Sequence, residues 1–241
     1  MSLIGSSHTV HRFDEELNKI ASLVDRMGAL AIDQLQRAVQ TLKDEDPVAA
    51  QHVISRDREL NALDVEIDEK IIQMIAKRQP MARDLRQIVT LGKVVNELER
   101  AGDEARKLAK LAVHFYEGEG AIPSEHILRD IYSMADYVGE MLTKSMRGFS
   151  SLDIQLALSV LKMDEQLENE FSSTLRRLST FIMEDSRNVG HFVEIVLCIR
   201  ALERFGGRAK NIAGHIIFLA KGHDVRHATV DEILRLFDQP A

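Results

Sequence analysis

Two carboxylates in the stretch "NELERAGDEARKLAK" (residues 96–110), Glu99 and Asp103, stand four positions apart. On a helix that spacing puts both on one face, one turn from each other. Like charges so placed repel, and a divalent or trivalent cation relieves the repulsion, since hard metals take oxygen ligands. The same pair also reads as an ordinary solvated or salt-bridged face, and the spacing alone leaves both readings open. A second oxygen-bearing run, Asp57, Asn61, Asp64 and Asp68, follows steps of four, three and four. It draws a stripe along another helix. If that stripe faces Glu99 and Asp103, then Asp57 and Asp64 are the further ligands of a metal site, while Asp68 reads as solvated.

The stretch returns about a hundred residues later as "RALERFGGRAKNIAG" (200–214). Glu203 repeats Glu99, but Gly207 stands where Asp103 did. Asp164 and Glu168 offer further carboxylates for a weaker second site, and Arg208 adds an opposing charge beside it. In the first copy, Lys107 lies one turn beyond Asp103 and is placed to pair with it. Arg100 and Arg204 each follow the motif glutamate, and each is expected to reach an acid or exposed carbonyls on a neighbouring helix. Gly102 and Gly206 each cost a helix about 1 kcal/mol relative to alanine. Their matched positions predict a close approach by another element.

These residues need long helices to hold them. Residues 13–43 place Leu17, Ile20, Val24, Met27, Ala31, Leu35, Ala38 and Leu42 at steps of three and four, the mark of an amphipathic helix. "DEDP" ends it, with Asp46 placed to cap a new helix and Pro47 in its first turn. That helix runs to Gln79-Pro80, and a third covers residues 82–116. Short turns between long helices predict an up-down-up bundle. "EGEGAIPSE" is the clearest linker, and beyond it the pattern restarts. Val138-Gly139 matches Met27-Gly28, Asp153 matches Asp46, Asp164 matches Asp57, and Glu203-Arg204 matches Glu99-Arg100. The expected organisation is a first three-helix repeat over 10–116, a linker over 117–124, a second repeat over 125–222 and a tail over 223–241 with a short helix. Residues 1–9 are set aside as disordered or added sequence.

Composition agrees with an all-α fold. Of 241 residues, 45% are hydrophobic and only 5% aromatic, with no Trp, 4 Pro and 13 Gly. The net charge of −7 argues against general attraction to nucleic acid or anionic lipid. The single cysteine, Cys198, reads as a small core residue. No run of eighteen apolar residues is present, and "MSLIGSSHTVHR" lacks the apolar core of a signal peptide, so a cytoplasmic location is expected. The Glu-x-x-His element of di-metal oxidation bundles is missing from the sequence, and neither His191 nor His215 has a suitably spaced acid. Phosphate-cradling glycine loops and nucleophile elbows are also missing, so the chain does not read as an enzyme.

"LERAGDEARKLA" and "LERFGGRAKNIA" together resemble the paired L-E-R-x-G-D-x-A-x-N-I-A signature of the PhoU family. "QPMARDLR" and "KGHDVRH" are similar to that family too, so the resemblance spans residues 10–230 or so. It implies two three-helix bundles related by a pseudo-twofold axis. It also implies a negative regulator of phosphate-starvation signalling and phosphate uptake. Such a regulator links the ATPase component of the Pst phosphate transporter to a PhoR-type sensor histidine kinase, and reaches the membrane only through those partners. A homodimer and iron or zinc ions on the E-x-x-x-D motifs belong to the same expectation. Two departures stand out: Lys107 replaces the signature's Asn in the first copy, and Gly207 replaces its Asp in the second. Metal is therefore expected to favour the first copy. The rival reading is a metal-independent helical adaptor with no part in phosphate signalling.

Overall fold

A computed structural model of the chain describes residues 11–117, 123–184, 189–225, 228–229, 231–233 and 235. Six helices follow in order: α1 (His11–Lys43), α2 (Pro47–Arg78), α3 (Ala82–Glu117), α4 (Glu125–Ser151), α5 (Ile154–Glu184) and α6 (Val189–Lys221). No strand occurs among the described residues. The expected N-terminal segment and the centre of the linker, 118–122, lie outside them. So does most of the tail, of which 231–233 are helical.

The turns within each repeat are built alike. Asp46 caps α2, its carboxylate accepting from Ala49 N at 2.9 Å, and Pro47 opens the helix. Asp153 caps α5 in the same way, Oδ1 accepting from Gln155 N at 2.8 Å and from Leu156 N at 3.2 Å. The residue before each cap, Glu45 and Leu152, is left-handed, with φ of 54° and 53°. Such a conformation is strained for a residue with a side chain. Its presence at the same place in both halves makes the α1–α2 and α4–α5 corners copies of one another.

Each third helix is central. α3 packs on α1 and α2, α6 packs on α4 and α5, and the halves join through α1 against α4 and α3 against α6. The predicted stripe of α1 is buried throughout, and Phe115, Phe149 and Phe205 are fully enclosed. The matched glycines show the pseudo-twofold relation between halves directly. A Cβ on Gly28 would lie 2.7 Å from Met146 Cε, and one on Gly139 would lie 3.5 Å from Leu35 Cδ2. Met146 and Leu35 are themselves equivalent, each seven residues beyond the glycine of its own half. Within the bundles Gly102 and Gly206 admit Leu60 and Leu167, again an equivalent pair. The close approach expected from the sequence is therefore real, and its cause is leucine packing.

Candidate functional site

α2 and α3 bring the four expected ligands of the first bundle into one neighbourhood. Burial pushes the Glu99 carboxyl above its ordinary value, and the charges of Asp103, Asp64 and Asp57 push it further, with Arg100 opposing. Asp64 is raised in the same way by burial and then by Asp68. Asp57 is buried, whereas Asn61 and Asp68 are exposed, so the stripe of α2 turns from core to solvent along its length.

A residue that the spacing argument passed over sits in the middle of this group. Arg106 places Nη2 at 2.6 Å from Asp103 Oδ1 and Nη1 at 3.3 Å from Asp57 Oδ2. Gln34 of α1 supplies a further donor, its Nε2 lying 3.2 Å from Asp57 Oδ1. Two of the four carboxylates thus already have a cation. Glu99 and Asp64 have no ion pair or side-chain hydrogen bond among the described residues. Lys107 does not pair with Asp103 as expected. It turns away to Glu104 Oε2 at 2.8 Å, because Glu104 lies on its own side of α3 and is nearly buried.

The second bundle repeats the arrangement with a different cation. Lys210 stands where Arg106 stands and pairs with the buried Asp164, the equivalent of Asp57. Glu168 lies 3.9 Å away. Burial works against the charge on Lys210, but Asp164, Glu168 and Glu165 hold its ammonium above the ordinary value. Glu203 Oε2 is buried without a hydrogen-bond donor. Arg200 Nη1, at 3.4 Å, is within ion-pair distance but not aligned to donate. Gly207 has open space where a Cβ would go. The opposing charge expected from Arg208 is not at this site. Arg208 reaches across to Glu97 Oε2 of α3, 3.3 Å away, because its position on α6 faces the other bundle. The neighbouring cation is Lys210 instead.

Arg100 and Arg204 also depart from expectation. Both are exposed, and neither makes an ion pair or side-chain hydrogen bond among the described residues. Their stems project past the packed seam into water, so no partner is needed. The sequence carried a signal for the cations that do matter: a basic residue at 106 and again at 210, at the same place in both copies. It was hidden because position 106 is variable in the resemblance that drew attention to the motif.

Chemically, the first group offers several hard oxygens with one carboxyl destabilised by its neighbours, which suits an oxygen-ligated cation in donor type and charge. Arg106 already supplies positive charge to two of those donors. Among the described residues, no three His, Cys, Asp or Glu side chains converge in a geometry ready to hold a metal. Glu99 and Asp64 are of the right donor type and have no competing cation among the described residues. Asp57 and Asp103 fit only if Arg106 withdraws. Cys198 is buried, as expected, and its thiol is pushed far up by burial alone. No helix among the described residues is long and apolar enough to cross a membrane.

Comparison with known proteins finds the PhoU domain twice, over residues 24–112 and 131–216. The phosphate-specific transport system accessory protein PhoU of Escherichia coli is 33% identical over 235 residues, 98% of this chain and 96% of that protein. The PhoU homolog of Pseudomonas aeruginosa is 38% identical over 220 residues, covering 91% and 90%. A crystal structure of PhoU from Pseudomonas aeruginosa superposes with a TM-score of 0.82 at 36% identity, over 88% of this chain and 100% of that one. The regulatory protein PhoU of Streptococcus pneumoniae, at 23% identity and a TM-score of 0.79, shares the fold over 88% and 99%.

Proposed function

The chain belongs to the PhoU family, and on that basis we propose that it is a regulatory accessory protein of a phosphate-specific transport system. The supporting observation is that relatives carrying that name match both repeats and nearly the whole chain. In the finer reading, the chain damps phosphate-starvation signalling. It does so by contacting the transporter's ATPase component and a PhoR-type sensor kinase from the cytoplasmic side, as a homodimer and without catalysis of its own. Deleting the gene should leave phosphate-starvation genes switched on in phosphate-rich medium. Unchanged expression in that strain would reject the signalling role.

The metal reading stays attached to the first bundle. A bound iron or zinc ion would supply positive charge to Glu99 and Asp64, with Asp57 and Asp103 joining once Arg106 gives them up. Asp103→Ala should then lower metal per chain. Gly207→Asp, which has room for its side chain, should raise it in the second bundle. Equal metal content in wild type and both variants would remove metal from the proposal. The rival metal-independent adaptor draws its support from Arg106 and Lys210, which already neutralise the buried aspartates.

A further inference from the structure

Where α3 and α6 cross, the two ends of the interface should be alike by pseudo-symmetry, and they are not. At one end Glu97 accepts from Arg208, and Phe218 lies beneath Arg86 and Lys93, each 5.5 Å from its ring centre. That end is closed by its own side chains. At the other end the equivalent of Glu97 is Ala201 and the equivalent of Arg208 is Glu104. No ion pair forms across the seam there among the described residues, and a cleft of about 340 Å³ opens between the helices.

The walls of this cleft are cationic and its floor is apolar. Lys107 and Lys110 line it from α3 and Arg200 and Arg204 from α6, and the buried Leu111, Cys198 and Ala201 supply its apolar floor. All four cations are exposed. Leu197 is 56% exposed, and Val193, one turn earlier on the same face, is 49% exposed. The acids offset only part of this charge. Glu104 pairs with Lys107, Arg200 lies 3.4 Å from Glu203, and Glu194 is a second acid of the lining, whereas Lys110 and Arg204 have no acidic partner among the described residues. In a chain of net charge −7 this is a local reversal of sign.

We propose that this cleft receives an acidic amphipathic helix of a partner protein. The spacing selects that occupant. The cations form two rows, residues three apart on α3 and four apart on α6, either side of an apolar strip. A helix with a leucine stripe flanked by glutamates presents the complementary pattern, apolar at its centre and acidic on both shoulders. A lipid surface is flat and reaches the rim of a concave site rather than its floor. The inference rests on the proposed function only in that the chain acts through partners. Loss of peptide binding would leave the gene-deletion result untouched, so each can fail without the other.

The test uses the full chain and a fluorescein-labelled 18-residue helical peptide with leucines in an i, i+3, i+4 stripe and glutamates beside it. A control peptide carries lysine at every glutamate. Anisotropy should show binding of the acidic peptide only, weakening as salt is raised. Lys110→Glu with Arg204→Glu should weaken it by about tenfold or more, as charge reversal does at complementary interfaces. Arg26→Glu with Arg58→Glu, which changes net charge equally on exposed sites elsewhere, should change it less than about twofold. Circular dichroism establishes that both double variants remain helical. Failure to bind the acidic peptide, equal binding of the lysine peptide, or equal loss in both double variants would each overturn the proposal. So would competition by phosphatidylcholine vesicles containing phosphatidylglycerol that themselves retain the chain in a cleft-dependent way, which would assign the cleft to anionic lipid.

Discussion

Replacing Arg106 with glutamine tests whether an internal cation holds the first bundle together. The buried carboxylate of Asp57 is 3% exposed and has two partners, Arg106 at 3.3 Å and Gln34 at 3.2 Å. Removing one member of a fully buried ion pair costs about 3–5 kcal/mol, because a charge is left without compensation. Two features reduce that figure. The Arg106 side chain is 33% exposed, so water screens the pair, and Gln34 continues to donate after the substitution. A loss of about 1.5–3 kcal/mol remains. Urea unfolding at neutral pH should register it as a lower midpoint with an unchanged slope. Adding Asp57→Asn to Arg106→Gln should restore most of the loss, since no buried charge is then stranded. A double-mutant cycle across the four proteins isolates that coupling. Effects that simply add, or an Arg106→Gln cost below about 0.5 kcal/mol, would refute the reasoning.

Glu99→Gln tests the opposite sign. The folded carboxyl is raised above its ordinary value, so the native state holds more protons than the unfolded one from that value up to the raised one. Stability falls as pH rises through this window and stays lower above it. Glu99→Gln should therefore be more stable than wild type at pH 7 and similar to it below pH ~4, as read by thermal melts across pH. Adjacent glycines should part company. Gly206→Ala forces a Cβ against Leu167 and Val138 and should destabilise by about 1–3 kcal/mol through overpacking. Gly207→Ala meets nothing and should stabilise by up to about 1 kcal/mol through helix propensity. Burial raises the phenols of Tyr116, Tyr132 and Tyr137, Tyr132 to about 12. An ultraviolet titration should show little phenolate at pH ~10, the ordinary midpoint. A full transition there would contradict the packing described.

The periodic stripe of α1, the capping aspartates Asp46 and Asp153 and the glycine pair 102 and 206 were legible because each is a local or repeated signal. A helix period, a side chain three residues from an amide and a residue without a Cβ all act within a turn or two of chain. The acidic neighbourhood was legible for a related reason: spacing along α2 and α3 fixes which carboxylates share a face. What spacing could not supply was the rotation of one helix against another. That rotation decides that Arg106 of α3 reaches the buried Asp57 of α2, and that Arg208 crosses to Glu97 instead of approaching Glu203. Arg100 and Arg204 failed as expectations because the flexible arginine stem lets a residue beside a packed seam leave it. The cleft was illegible for a different reason. It arises from a difference between two ends of one interface, Ala201 against Glu97 and Glu104 against Arg208, and neither member of either pair is unusual alone.

The ion pair between Arg208 and Glu97 also bears on how the chain is assembled during synthesis. The ribosome delivers the first repeat before the second exists, so the joining faces of α1 and α3 wait uncovered. Those faces are nearly self-complementary, since the contacts of Gly28 with Met146 and of Gly139 with Leu35 are rotated copies of each other. Two unfinished chains on one messenger therefore offer each other almost the correct surface. Among the places where they differ from the proper partner, one sets the sign of a charge contact. A second copy of the first repeat would bring Glu104 to the position of Arg208, setting acid against acid at Glu97. Two second repeats would leave Arg208 facing Ala201. Only the union of unlike halves places opposite charges together, so a single asymmetric pair favours closure within one chain over exchange between neighbours.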